Sequence, residues 1–332
     1  MKFAGFLLSS ALLATSAVAQ PILEEKTQAF VDIVSEATPL YTLSHDGARK
    51  VLATVQQERI ATAATMAEDT VFPVGPTGEV RIRIIRPEGA DGKLPVIMYF
   101  HGGGWVMGDR NTHDNLIREL SAQTGAAVVF VEYDNAPEVK YPDNNEQAYA
   151  ATEYVAKNAD ALGVDASRIA VAGDSAGGNM AAAVTLMAKE RQGPELIHQV
   201  LFYPVTDDIS DNSSYTAFGE GPFLTEKAMD YFLEANYPAD RRDEVLAFPL
   251  RASVDQLKGL PDATVIVAEN DLLRDEGEAY ARKLTQAGVT VTATRYNGTI
   301  HDFVMLNALA DTPAARAAIS QAASELKKAF AS

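Results

Sequence analysis

The 332-residue chain contains no cysteine, which excludes disulfide bonds, thiolate metal sites and a cysteine nucleophile. It also has little positive charge, since 28 Lys and Arg stand against 45 Asp and Glu and the net charge is -17. The sequence has no cluster of Lys and Arg, so it predicts neither a nucleic-acid partner nor stable membrane association. The remaining composition is that of a globular protein, with 47% hydrophobic residues.

Long apolar runs are also scarce, and the one at the start of the chain is short. Residues 3–13 are mostly apolar, Lys2 precedes them, and Ala17-Val18-Ala19 forms a small-residue cleavage signal. The run falls short of the roughly 20 apolar residues that a membrane span needs. The pattern predicts a secretory signal peptide, and we expect a secreted or periplasmic protein after cleavage near Ala19.

Short strand-like runs alternate with helical patterns along most of the chain. The strand-like runs are 70–74, 79–86, 95–100, 127–133, 168–172, 199–203, 263–268 and 289–296. The helical patterns among them are 113–123, 144–162, 176–191, 275–286 and 313–330. This alternation predicts an α/β fold with helices on both faces of a mostly parallel central sheet.

Two segments interrupt the alternation. Amphipathic helices are predicted at 22–36 and 45–61, ahead of any strand. A long interval between Pro204 and Pro261, with a helix at 225–235, replaces a short crossover. These segments could form a lid over the carboxyl edge of the sheet, or they could be peripheral decoration.

A serine between small residues lies where a strand-like run meets a helical pattern. Residues 173–177 are Gly-Asp-Ser-Ala-Gly, the G-x-S-x-G pattern of a nucleophile elbow. Glycine at both ends leaves room for a strained backbone at Ser175, and the helix beginning at Ala176 directs its positive end toward the site. The alternative is a tight connection with an idle serine, but the position favours a nucleophile.

The string His101-Gly102-Gly103-Gly104 follows the strand-like run that ends at residue 100. Consecutive glycines leave backbone N–H groups unobstructed, which suits an oxyanion site for a tetrahedral intermediate. A flexible turn is the alternative. The coincidence of this string with the elbow favours the oxyanion site.

His301 is the best placed of the five histidines to act as a base, because it follows the last strand-like run and can reach the elbow from the same sheet edge. Asp271 follows the strand-like run before it and is the predicted acid. Asp275 is the rival carboxylate. Its place at the start of a helical pattern predicts that it caps that helix instead.

Together these motifs resemble those of the bacterial hormone-sensitive-lipase-like esterases, which are α/β-hydrolases. The resemblance runs from about residue 71 to the C-terminus and joins HGGGW, YDNAPE, GDSAGGN, AENDLLRDEGEAYA and GTIHDF. The chain departs from the family at Asp134-Asn135, where Arg-Leu is usual, and at Leu272, where Pro is common. The resemblance implies that the nucleophile, acid and base are Ser175, Asp271 and His301, and that the oxyanion donors are Gly103, Gly104 and Ala176.

The resemblance also implies a helical cap over the substrate pocket. The chain then divides into a signal peptide (1–19), an N-terminal cap segment (20–66), a first part of the core (67–206), a cap insertion (207–250) and a second part of the core (251–332). The aromatic side chains that could line the pocket are Trp105, Phe218, Phe223 and Tyr231. Core packing is the alternative for each of them.

The sequence therefore predicts a secreted serine carboxylesterase that acts on small-molecule esters of short to medium acyl groups, without metal or cofactor. It contains no H-E-x-x-H, P-loop or dinucleotide fingerprint. A non-catalytic small-molecule-binding protein on the same fold is one alternative, although all three triad members are present. Amide or peptide hydrolysis is the other, because the same triad performs it.

Overall fold

The structure is a computed structural model that describes residues 21–57, 60 and 63–332. The predicted signal peptide lies outside these residues. In the described part, eight strands form one sheet. They are β1 (Thr65–Phe72), β2 (Val80–Pro87), β3 (Leu94–Phe100), β4 (Ala127–Glu132), β5 (Val164–Asp174), β6 (His198–Phe202), β7 (Asp262–Asn270) and β8 (Val291–Ile300).

The strand order is β1-β2-β4-β3-β5-β6-β7-β8. β2 pairs antiparallel with β1 and with β4, and every later pair of neighbours is parallel. The predicted α/β class and the predicted strands are therefore confirmed. β1 begins five residues earlier than the apolar pattern predicts, because this strand is at the sheet edge and most of its side chains are exposed, so burial imposes no alternation on its sequence.

Helices cover the sheet and extend beyond it. In the described residues they are α1 (Glu25–Ser35), α2 (His45–Val55), α3 (Asp114–Thr124), α4 (Asp143–Lys157), α5 (Ala159–Leu162), α6 (Ala176–Glu190), α7 (Ser213–Phe218), α8 (Glu226–Asn236), α9 (Val254–Leu257), α10 (Arg274–Gln286) and α11 (Pro313–Ala331). The helix predicted at 144–162 is broken at Asn158 into α4 and α5, and α7 was not predicted. The end of the helix predicted at 45–61 lies partly outside the described residues.

The core lies on both faces of the sheet. Along β3, Ile97 and Tyr99 belong to the cluster that packs on α3 and α11, whereas Met98 and Phe100 belong to the cluster that packs on α4 and α6. All four side chains are fully buried. A strand buried on both faces needs no polar residue, which explains the uninterrupted apolar run in its sequence.

The N-terminal helices contact the helices between β6 and β7. Phe30 of α1 lies 5.7 Å from Phe223, measured between ring centroids, and the Tyr231 hydroxyl of α8 donates to the carbonyl of Leu43, which precedes α2, at 3.4 Å. Phe232 of α8 is buried. These contacts join the two predicted cap segments into one helical layer, while the five-segment division of the chain stays a prediction.

Candidate active site

Four of the parallel strands end directly before the predicted functional residues. β3 ends before His101, β5 before Ser175, β7 before Asp271 and β8 before His301. Because the carboxyl ends of parallel strands meet at one edge of a sheet, the strands bring these residues to a common place.

Ser175 lies in a strained turn between β5 and α6, with φ 54° and ψ -118°. A Cβ atom on Gly173 would overlap the carbonyl of Gly177, and one on Gly177 would overlap the carbonyl of Phe100. Both glycines are therefore required by the close approach of neighbouring backbone. The turn directs the serine side chain out of the strand, as a nucleophile elbow does.

The structure brings Ser175, His301 and Asp271 into hydrogen-bond contact. Nε2 of His301 lies 2.8 Å from Oγ of Ser175, and Nδ1 lies 2.7 Å from Oδ2 of Asp271. Oδ1 of Asp271 accepts the backbone N–H of Leu273 at 3.0 Å, which fixes the carboxylate. The serine is 5% exposed, so the reacting groups are shielded from bulk water.

Electrostatics favour a strong base at His301. Burial opposes the charged imidazolium, but the carboxylates of Asp271 and Asp302 outweigh it and raise the pKa of His301 to about 9. Oδ1 of Asp302 lies 3.4 Å from Nε2 of the imidazole. Burial in turn raises the pKa of Asp302 to about 6.

Asp275 does not cap α10, so the predicted capping role is wrong. The helix begins at Arg274, and its N-cap residue makes no side-chain cap bond. Oδ2 of Asp275 instead accepts the backbone N–H of Ser214 at 2.9 Å, and Oδ1 accepts Nε of Arg274 at 2.8 Å. Because the helix starts one residue earlier than predicted, the carboxylate projects from its first turn and holds α7.

The predicted oxyanion donors have free N–H groups. In the described part of the chain, the N–H groups of Gly103 and Gly104 donate to no protein acceptor. Ala176 is the first residue of α6, a position at which no intrahelical acceptor exists. Both glycines have positive φ, at 100° and 61°. Their role as oxyanion donors stays a prediction that this geometry supports.

His101 is placed to shape the glycine loop and not to act as a base. Its Nδ1 donates to the carbonyl of Gly102 at 2.9 Å, and its ring stacks on Tyr133 with 4.1 Å between centroids. Burial, reinforced by the nearby His113, lowers the pKa of His101 to about 4. The neutral ring keeps its one proton on Nδ1, bonded to the Gly102 carbonyl, and has no exposed surface through which a substrate could exchange a proton.

The four candidate lining residues have different environments. Trp105 has no exposed surface and packs edge-on against Tyr237, 5.0 Å away between ring centroids, so core packing is the alternative that the structure favours for it. Phe218, Phe223 and Tyr231 are half-buried in the helical layer. A substrate-lining role for these three stays a prediction.

The helical layer reaches the glycine loop at Phe232. A Cβ atom on Gly104 would overlap the ring of Phe232, so α8 packs directly on the predicted oxyanion residue. Arg49 of α2 contacts the same loop just after the glycines. Its guanidinium donates to the carbonyl of Val106 at 2.8 Å, and also to that of Ala136 at 2.9 Å. Two elements of the layer therefore touch the loop that follows β3.

Among residues 21–57, 60 and 63–332, no three His, Asp or Glu side chains are grouped so that they could hold a metal ion. In that same part of the chain, no helix has the length and apolar character to cross a bilayer.

An elbow serine bonded to a histidine, which is itself bonded to a carboxylate, at the carboxyl edge of a mostly parallel sheet defines an α/β-hydrolase. The α/β-hydrolase fold family matches residues 97–305, more than half of the chain. The chain therefore belongs to this family, and its predicted resemblance to the hormone-sensitive-lipase-like esterases is confirmed.

Similar proteins that are esterases support the same assignment. Carboxylesterase NlhH of Mycobacterium tuberculosis is 39% identical over 254 residues, which make up 76% of this chain and 79% of that enzyme. Ethyl acetate hydrolase of Pseudomonas putida is 37% identical over 238 residues, 69% of this chain and 72% of that enzyme. The crystal structure of a thermostable esterase from Pseudomonas putida has a TM-score of 0.91 at 47% identity, covering 94% of this chain and 98% of that one.

Sequence reasoning missed two carboxylates at the site. Asp174 precedes the nucleophile, is fully buried, and accepts hydrogen bonds from Tyr99 and Gly102. Asp302 follows the histidine and has φ 64°. The signal that could have revealed both is an ionisable residue next to a predicted catalytic residue, in a stretch where everything nearby is apolar or small.

Proposed function

We propose that this chain, a carboxylic ester hydrolase of the α/β-hydrolase family, cleaves esters of short to medium acyl groups through an acyl-enzyme on Ser175. The observation that carries the proposal is the pair of contacts made by His301, 2.8 Å to Oγ of Ser175 and 2.7 Å to Oδ2 of Asp271. This order of contacts is the one a serine nucleophile, its base and an orienting acid require.

In the proposed reaction, Oγ of Ser175 attacks the ester carbonyl while Nε2 of His301 accepts its proton. The negative charge on the carbonyl oxygen is stabilised by N–H groups that have no protein acceptor. The C–O bond to the alcohol then breaks, and the imidazolium returns the proton to the departing oxygen. Water attacks the acyl-enzyme with the same base, which releases the acid and regenerates the serine. The N–H donors are those of Gly103, Gly104 and Ala176.

Asp271 contributes orientation and charge in this scheme. Its Oδ2 holds the N–H at Nδ1 of His301, so that Nε2 faces the serine, and its negative charge stabilises the imidazolium that forms. The raised pKa of His301, about 9, shows how strongly the surrounding carboxylates favour the charged ring.

The limit on acyl length is inferred from the helical layer. Phe232 lies on Gly104, and Ser175 is 5% exposed, so a bound acyl group must fit between the sheet edge and α8. A closed site of this kind favours small substrates, because each methylene that does not fit loses its favourable burial.

Export is a separate part of the proposal. It is supported by the composition of residues 1–19, a basic start, an apolar stretch and the Ala17-Val18-Ala19 cleavage signal. N-terminal sequencing of the protein from the culture medium and periplasm is the test, and Gln20 is the expected first residue. Uncleaved protein confined to the cytosolic fraction would contradict export.

The central test is turnover of p-nitrophenyl acetate and butyrate by the wild type, Ser175→Ala and Ser167→Ala. Ser167 is an exposed serine whose hydroxyl donates to Asp165 at 2.7 Å, so it is a matched control. We expect Ser175→Ala to lower turnover by about three or more powers of ten, with the control unchanged. Equal activity in all three proteins would overturn the assignment of the nucleophile. Matching p-nitroanilides in the same assay distinguish an amidase from an esterase.

A further inference from the structure

A second buried histidine–aspartate pair lies beside the nucleophile, and the proposed reaction does not use it. Nε2 of His113 lies 3.3 Å from Oδ2 of Asp174, and neither side chain has any exposed surface. Asp174 is the last residue of β5, directly before Ser175. His113 is the residue directly before α3.

The other oxygen of Asp174 holds the start of the glycine loop. Oδ1 accepts the backbone N–H of Gly102 at 3.1 Å and the hydroxyl of Tyr99 at 2.7 Å. The carboxylate lies so close that a Cβ atom on Gly102 would overlap it. The next two residues are Gly103 and Gly104, so the position of their N–H groups depends on this anchor.

The hydrogen bonds of the Thr112 hydroxyl determine the charge of His113. The Thr112 hydroxyl lies 2.9 Å from the Asp109 carbonyl and 2.9 Å from Nδ1 of His113, and its oxygen also accepts the N–H of Asp109. A hydroxyl has one hydrogen, so all three bonds form only when it donates to the carbonyl and Nδ1 carries a proton. Nε2 also carries a proton, because it faces a carboxylate. The ring is therefore an imidazolium.

The surrounding charges agree with this assignment. Burial opposes the charged ring, but Asp174, followed by Asp302 and Asp109, outweighs burial and raises the pKa of His113. Burial would raise the pKa of Asp174, but His113 lowers it below its usual range. Tyr99 from β3 donates to Asp174, and the neutral His101 of the glycine loop lies beside His113. His301, Tyr133 and Tyr203 also interact electrostatically with Asp174.

We propose that His113 is a positioning residue for the oxyanion site. Its positive charge keeps Asp174 ionised in the core, and that carboxylate holds the N–H of Gly102, so that the N–H groups of Gly103 and Gly104 point at the developing oxyanion. The inference rests on the proposed esterase function. His113 touches neither substrate nor Ser175 and acts only through Asp174.

The expected kinetic effect follows from when the oxyanion exists. The full negative charge forms only in the tetrahedral intermediate, so a displaced donor weakens transition-state binding and leaves substrate binding almost unchanged. Losing His113 should therefore lower kcat while KM stays constant. A purely structural role would instead lower thermal stability without this split.

The test compares His113→Asn with His198→Asn. His198 is a buried histidine at the start of β6, at the opposite sheet edge, with Nε2 2.9 Å from Oγ1 of Thr264. We expect His113→Asn to lower kcat on p-nitrophenyl acetate by about 10- to 100-fold with KM within about twofold of the wild type. The inhibition constant of an alkyl boronic acid, which forms a tetrahedral adduct with the serine, should rise by the same factor. His198→Asn should change neither the kinetic constants nor this inhibition constant.

A second variant, Tyr99→Phe, covers the case in which His113→Asn does not fold. It removes one donor to Asp174 and keeps the buried ring, so we expect a smaller loss, several-fold in kcat, again at constant KM. Unchanged kcat in the folded variants, or a change in KM together with kcat, would overturn the inference. A wild type without ester turnover would overturn the proposed function itself, which the first assay reports before any variant is compared.

Discussion

The carboxylate of Asp302 lies beside Nε2 of His301, the nitrogen that exchanges protons in the proposed reaction, with 3.4 Å between Oδ1 and Nε2. Oδ1 of Asp302 accepts no hydrogen bond from any protein donor in the described residues. A negative charge at this position stabilises the imidazolium in the resting enzyme. The contact therefore adjusts how basic the histidine is, in addition to the contact that Asp271 makes with Nδ1.

A pH dependence follows from this arrangement. The rate of the first step requires neutral His301, whose pKa is raised to about 9, so we expect kcat/KM to rise with pH up to about 9 and not to level off near 7. Asp302→Asn removes a negative charge, which lowers the pKa of the imidazole and moves the rising limb to lower pH. Measurement of kcat/KM from pH 5 to 10 for both proteins checks this. A limb that stays in place would show that Asp302 does not influence the base.

The two carboxylates before α10 should behave differently. Asp271→Asn should lower kcat by about 10⁴-fold, because the amide can no longer hold His301 in the required tautomer. Asp275→Asn weakens the bond to the N–H of Ser214, so we expect a lower melting temperature and turnover within about tenfold of the wild type. Kinetics and thermal unfolding of both variants decide. A larger kinetic loss at Asp275 would mean that the triad acid is misassigned.

Much of the sheet could be predicted because it depends on local patterns. A strand that is buried on both faces, such as β3, shows as an apolar run, and the strand-to-helix turn at Ser175 shows as small residues around it. The edge strand β1 carries no such pattern, because most of its side chains are exposed and burial does not select apolar residues there. The short helix α7 was missed because six residues are too few to show a helical period.

The interactions among distant segments could not be predicted. His113 and Asp174 are 61 positions apart, and nothing in either local sequence indicates that the start of α3 packs beneath the elbow. Asp134 stands where the family usually has Arg, and Arg49, from a different segment, pairs with Glu138 instead. Arg81 pairs with Asp134 at 3.1 Å. Such pairs become visible only when the fold brings the charges together.

Arg49 connects α2 to the loops around the site, and its removal should affect substrate binding. Its guanidinium donates to the carbonyls of Val106 and Ala136 and pairs with Glu138. We expect Arg49→Ala to destabilise the protein by about 1–3 kcal/mol, because two partly buried carbonyls lose their donor. KM should rise more than kcat falls, since α2 loosens while the triad stays in place.

The matched control for this variant is Arg282→Ala. Arg282 is 64% exposed and pairs only loosely with Glu278, at 3.6 Å, so its loss should cost little. Thermal unfolding and steady-state kinetics of both variants are the measurements. If Arg49→Ala behaves like the control, α2 is not held by this side chain.

The last prediction concerns the length of the acyl group. Phe232 packs on Gly104, so α8 closes the space above the predicted oxyanion site. We expect specificity constants on acetyl to hexanoyl esters to exceed those on palmitoyl esters by about a hundredfold, because several methylenes of the longer chain find no room. Phe232→Ala should reduce this ratio by opening that space, at a cost of about 3–5 kcal/mol in stability.

Leu233→Ala is the control. Leu233 is the buried neighbour of Phe232 on the same helix, and the atoms nearest to a Cβ placed on Gly104 all belong to Phe232. It should lower stability without altering the ratio between short and long esters. Both variants are assayed on p-nitrophenyl esters of graded length at one detergent concentration, so that solubility does not determine the result. Wild-type rates on palmitoyl ester equal to those on butyrate would contradict the closed pocket. In that case, the helical layer would have to open during turnover to admit long chains.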